Sequence, residues 1–228
     1  LEDAPLGGGP HDPGGPMHRR PAAPTRRARR RVGRLFLTVT VAAAILFALY
    51  WDSIELYEQE NGIIRGQNNS IATASIFGAY FPNPAFDLYK ESDGGDVVSP
   101  AKAMAVEAWA TGILVFMIFS FSDPNNSSVG RVDRKNKSAV PLLIALTVAV
   151  LISLYAPLTQ AALNPARDFG PRMFAAAAGW GRIAIPGPKN GVWVYFVGPA
   201  IGGPRGGLLY DWVIARVGKS NMKKDPDN

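Results

Sequence analysis

The sequence predicts an all-α membrane protein built from about four transmembrane helices and one re-entrant half-helix. Three observations carry that expectation. Three apolar blocks of 17, 19 and 20 residues hold a single charge between them, and a fourth of 24 residues holds two. Blocks of this length match a bilayer's hydrocarbon core at about 1.5 Å rise per residue. The blocks show no polar stripe of the kind that helices around a soluble core present to water. Between the third and fourth blocks, residues 160–180 begin polar and end in alanines. Too short and too polar at one end to span, such a segment dips into the membrane and returns along a cavity.

Taken in order, residues 1–34 form an arm with six Gly, six Pro and almost no large apolar side chain. It cannot bury enough surface to offset its ordering entropy and is expected to be disordered. It is not read as a signal peptide, because no small-residue cleavage site follows the next apolar run. Leu35–Trp51 is the first span and ends in Tyr50 and Trp51, the residue types of an interfacial belt. Ala103–Phe121 is the second span, with Glu107 as its one charge, and Ala139–Leu158 is the third, with none. A re-entrant half-helix is expected at about 164–178. The fourth span, Gly191–Ile214, is interrupted by Pro199, Pro204 and Arg205, and residues 216–228 form a tail. An Arg at mid-span costs at least about 2.5–3.5 kcal/mol, so either the helix bends there and Arg205 finds carbonyl partners, or the stretch is an unusual or imperfect sequence.

Charge and composition exclude as much as they suggest. Eight Arg against three acids in the arm make up nearly all of the chain's net +6, so the basic character belongs to the arm and not to the body. If the arm, residues 122–138 and the tail share one side, that side holds 16 Lys and Arg against 7 on the other. The arm and both termini are therefore expected to be cytoplasmic, with residues 52–102 and the half-helix entering from outside. With no cysteine, and with His11 and His18 both in the arm, the body offers no thiolate, triad or zinc site. No cofactor and no metal are expected, and an enzyme is disfavoured because no nucleophile–base pair is visible. The Arg-rich run could contact nucleic acid or anionic lipid, but without interleaved aromatics no nucleic-acid partner is expected. It reads instead as an arm that sets topology beside a span.

The sharpest chemical signal is Asn164-Pro165-Ala166-Arg167-Asp168-Phe169-Gly170-Pro171. Asn164 suits a helix N-cap and Pro165 its first turn, while Asp168 complements the positive helix end. An Asn amide at a helix start within the membrane offers N–H donors to a passing hydroxyl or water and repels cations. Arg167 adds a fixed charge and several donors at a narrow point. The plainer reading is that Asn-Pro simply starts an ordinary helix.

Here the resemblance becomes specific. The run APLTQAALNPARDFGPRMFAAAAGWG, residues 156–181, resembles loop E of the aquaporin and glycerol-facilitator family. The likeness extends to AVEAWATGILVF around Glu107 and to WVYFVGPAIGG in the fourth block, and covers roughly residues 35–215. Asp168 after the Arg and the outer-loop run Tyr80–Pro84 resemble the glycerol-facilitator branch. The resemblance implies an aquaporin-like helical bundle in which Asn164 belongs to a pore motif and Arg167 is the selectivity-filter arginine. Ala161 and Ile152 fall at two further filter positions. A small Ala161, where facilitators often carry an aromatic, would widen the constriction toward polyols. Glu107 matches a glutamate that accepts hydrogen bonds from the re-entrant loop.

The family pattern has six spans and two half-helices, and its first two spans and first half-helix have no counterpart before Leu35. The fold expected is therefore partial, an N-terminally truncated member. A second Asn-Pro-Ala, Asn83–Ala85, is followed by polar and acidic residues and reads as a decoy and not as a half-helix. Two functions compete. One is a channel for small neutral solutes, glycerol or water, with the lipid bilayer as surroundings and a homo-tetramer implied by the resemblance. The other is a non-conducting membrane protein that at most associates with intact relatives.

Overall fold

Residues 35–49 of the first expected span fold as the greater part of a longer helix, α1 (Arg26–Leu49), with Tyr50 in a turn and Trp51 opening the next helix. In the computed structural model, which describes residues 26–86, 97–123 and 139–215, every regular element is helical. The Gly/Pro-rich residues 1–25 and the tail at 216–228 lie outside the described residues. Residues 26–34, expected as part of the disordered arm, are instead helical. Arg and Ala are strong helix formers, so the turn that the apolar block nucleates propagates back through them.

The other elements follow from local chemistry. Residues 52–102, expected as an outer loop, contain most of α2 (Trp51–Glu60) and a short α3 (Ile71–Ala74). α4 (Pro100–Ser122) starts where Ser99 Oγ accepts the Lys102 N–H at 3.3 Å and Pro100 fills the first turn, where its missing N–H is not needed. α5 (Ala139–Thr159) carries Pro157 in its last turn, and α6 (Pro165–Ala175) is the half-helix. A wider turn, Ala176–Trp180, continues α6 and contains Gly179 at φ +110°, a conformation that only glycine adopts without strain. α7 (Val194–Tyr210) is shorter than the expected fourth span and is extended by a wide turn over Asp211–Ala215.

Among the described residues three helices are long and apolar enough to cross a membrane: Arg30–Leu49, Pro100–Ser122 and Ala139–Thr159. Their outer faces are apolar. Leu37, Val41, Ile45 and Leu49 on α1, and Leu142, Leu146, Val150 and Leu154 on α5, recur every four residues and are all exposed. Water would leave such stripes costly, whereas lipid does not.

Glycine sets the packing of α4 on α7. A side-chain carbon at Gly202 or Gly206 would collide with the main-chain carbonyl of Ala108 or Gly112, so the two helices touch backbone to backbone. α6 lies against α1 in a similar way: Thr40 Oγ1 donates to the Gly170 carbonyl at 3.0 Å and Phe36 meets Phe169 edge-on at 6.1 Å. Among the described residues Arg205 has no carbonyl partner. It is exposed in an apolar groove of about 490 Å³ between α4 and α7, and makes no hydrogen bond or ion pair among the described residues.

Candidate functional site

The site begins where α5 stops. Gln160, Ala161 and Leu163 take φ values of +58°, +46° and +55°, the left-handed region that costs a residue with a Cβ roughly 1 kcal/mol or more. Glu107, fully buried on α4, supplies what holds them. Its Oε1 accepts the Ala162 N–H at 3.0 Å and its Oε2 the Leu163 N–H at 2.8 Å. In a trans peptide the C=O points opposite to the following N–H. The carbonyls of Ala161 and Ala162 therefore turn away from Glu107, and both residues line the adjoining cleft.

That cleft, about 540 Å³, runs between α4, α5, α7 and the loop that leads into α6. Ile152, Ala161, Asn164, Pro165 and Arg167 all line it, while Ala166 is buried behind them. Asn164 caps α6: its Oδ1 accepts the N–H groups of Ala166 at 2.9 Å and Arg167 at 3.4 Å. This fixes which way the amide faces and leaves Nδ2 without a hydrogen bond among the described residues. Asn164 and Arg167 are exposed, and the Arg167 guanidinium makes no ion pair there either. Donors thus come from the start of α6, while Leu114 on α4 and Val148 and Ile152 on α5 add hydrocarbon to the same cleft.

Asp168, in the first turn of α6, is fully buried. Its Oδ2 accepts from Arg172 Nε at 2.7 Å and its Oδ1 from the Ala79 N–H at 2.6 Å. Arg172 donates onward to the Ala184 carbonyl at 2.8 Å and to the Ala79 carbonyl, and its guanidinium lies over the Tyr80 ring at 4.5 Å. Arg172 was missed in the sequence, although the Asp168–Arg172 spacing of four is the signal for such a pair. Thr111 was missed as well. It lines the cleft, and its buried Oγ1 has no partner among the described residues. Among those residues no cluster of His, Asp and Glu could hold a metal ion.

The second Asn-Pro-Ala starts no helix. Residues 81–86 form a bend in which Asn83 is buried and bonded to the end of α5.

Residues 40–210 match the model of the Major intrinsic protein family. The chain belongs to that family. It is an integral membrane family, and the chain is 35% identical over 181 residues to the glycerol uptake facilitator protein of Haemophilus influenzae, covering 79% of this chain and 61% of the relative. It is 35% identical over 183 residues to human aquaporin-9, covering 80% of this chain and 55% of that one. With the propanediol uptake facilitator PduF of Citrobacter freundii the identity is 34% over 206 residues, covering 86% and 70%. The chain thus spans between about half and about two thirds of the length of these intrinsic proteins.

Proposed function

We propose that the chain forms the Asn164–Arg167 wall of a membrane channel that passes small neutral solutes, glycerol and water, without chemical reaction. The observation that carries this is a cleft of mixed lining: Asn164 and Arg167 from α6 and the loop before it, Val148 and Ile152 from α5. A polyol is two-sided, with hydroxyls along one edge and C–H groups along the other. Hydroxyls exchange water for the Asn164 amide and Arg167 donors while carbon slides along hydrocarbon. The charge of Arg167 and the positive end of α6 oppose cations and protons. Relatives named glycerol and propanediol uptake facilitators support a polyol as cargo.

The excess of Lys and Arg in residues 1–34, 122–138 and 216–228 supports cytoplasmic termini, with the half-helix entering from outside. The exposed apolar stripes of α1 and α5 fit lipid contact, and a homo-tetramer follows from the family likeness. Osmotic swelling of vesicles bearing the purified chain tests the reading. Glycerol or water flux above the lipid background is expected. Flux at the background would overturn it in favour of a non-conducting protein that at most associates with relatives.

A further inference from the structure

Residues 79–83, between α3 and α4, do not line the cleft, yet they hold its edge. The last carbonyls of any helix lack intrahelical donors and must find others. At the end of α5 the Ala156 carbonyl takes the Gln160 N–H at 2.9 Å and Thr159 takes the Tyr195 hydroxyl at 3.3 Å. The remaining donors come from the outer segment. Asn83 Nδ2 donates to the Ala156 carbonyl at 3.0 Å, and the Asn83 N–H donates to the Pro157 carbonyl at 3.1 Å. Asn83 Oδ1 is engaged by the Ala85 N–H at 3.0 Å, which turns the Nδ2 face of the amide toward α5. Three residues earlier, the Tyr80 N–H donates to Gln160 Oε1 at 2.6 Å, and Ala79 joins Asp168 and Arg172. Residues 79–83 therefore lie as a strap across the end of α5 and the start of α6.

We infer that Asn83 is a positioning residue for the constriction: by capping the Ala156 and Pro157 carbonyls it sets where α5 stops, and so where Ala161 stands in the cleft that Arg167 also lines. The inference rests on the channel reading above and deepens it. Gln160 and Ala161 directly follow the capped turn and are held at positive φ. Such conformations persist only where their surroundings over-determine them. Glu107 fixes the loop from the α4 side, and Asn83 fixes the last turn of α5 from the outer side. With the Nδ2 donor removed, the Ala156 carbonyl keeps one partner where it had two. The last turn of α5 then loosens, and the residues after it relax with it.

Asn83→Asp is the test, because it keeps the shape and the Ala85 contact but replaces the donor with an acceptor facing a carbonyl. Amide hydrogen exchange at Ala161, Ala162 and Leu163, measured on the full chain in nanodiscs, is expected to rise about tenfold while α1 stays unchanged, the scale of one lost hydrogen bond. In vesicles, the permeability ratio of glycerol to a five-carbon polyol is expected to shift by about threefold or more, since the constriction changes shape. A merely structural role would lower both fluxes in proportion, and that result overturns the inference. Exchange within about twofold of the unsubstituted chain overturns it too. If the unsubstituted chain passes neither solute, the channel reading fails and exchange alone decides: a localised rise supports the positioning role and no rise ends it. Asn83→Ser, with a shorter donor, gives the same readouts should the Asp variant fail to insert.

Discussion

Glu107 Oε2 accepts the Leu163 N–H at 2.8 Å, joining the middle of α4 to a loop 56 positions away. With the Ala162 N–H on its other oxygen, one side chain holds two successive peptides whose carbonyls face the opposite way. This gives the fully buried acid a structural purpose: it satisfies donors that the left-handed loop would otherwise orphan. Glu107→Leu is expected to destabilise the chain by about 1–3 kcal/mol for each orphaned N–H, and Glu107→Gln by roughly half the total, since it keeps one acceptor. Thermal unfolding in nanodiscs checks this. Equal melting temperatures for the Gln and Leu variants would show that the two oxygens do not act separately.

Asp168 and Arg172 face each other one helical turn apart, and neither is solvated. Between them they hold the main chain of Ala79 and Ala184 against α6. Arg172→Met leaves a buried carboxylate without its cation and is expected to cost about 3–5 kcal/mol. Adding Asp168→Asn should recover part of that loss, because the stranded charge goes with it. A double-mutant cycle on unfolding midpoints reads the difference. Additive losses would mean that the pair is held by its separate main-chain bonds and not by mutual charge.

Reading the sequence recovered what local pattern encodes. The lengths of Leu35–Trp51, Ala103–Phe121 and Ala139–Leu158 announced three long helices, and Asn164-Pro165 marked the start of the half-helix because cap and first-turn chemistry are local. What escaped depends on partners distant in sequence. Asn83 looked like an empty copy of the motif because its role is to donate to Ala156, 73 positions on. Carbonyl partners in a bent helix were one expectation for Arg205, but where its side chain lies depends on how α4 packs beside it. The start of α1 at Arg26 was missed because a Gly/Pro-rich composition was averaged over 34 residues, whereas the Gly and Pro fall mostly before Arg26.

Ala161 offers the most direct handle on what passes. It lines the cleft with Ile152 and Arg167, and its methyl is the smallest side chain that L-stereochemistry allows there. At φ +46° a β-branched residue would add strain, whereas Phe keeps an unbranched Cβ, so Ala161→Phe fills the cleft with little further backbone cost. A ring there narrows the path by several carbon atoms' width beside the Arg167 donors. Glycerol must then shed its C–H contacts with Ile152 or push the ring aside, while water, with no carbon to place, still fits. Glycerol permeability is expected to fall about tenfold or more, the range in which a pocket discriminates by size, with water permeability changed less. Stopped-flow light scattering on the same vesicles with both solutes measures the two together. Parallel loss of both would place the narrow point elsewhere than at Ala161, and no loss of either would remove this residue from the solute path.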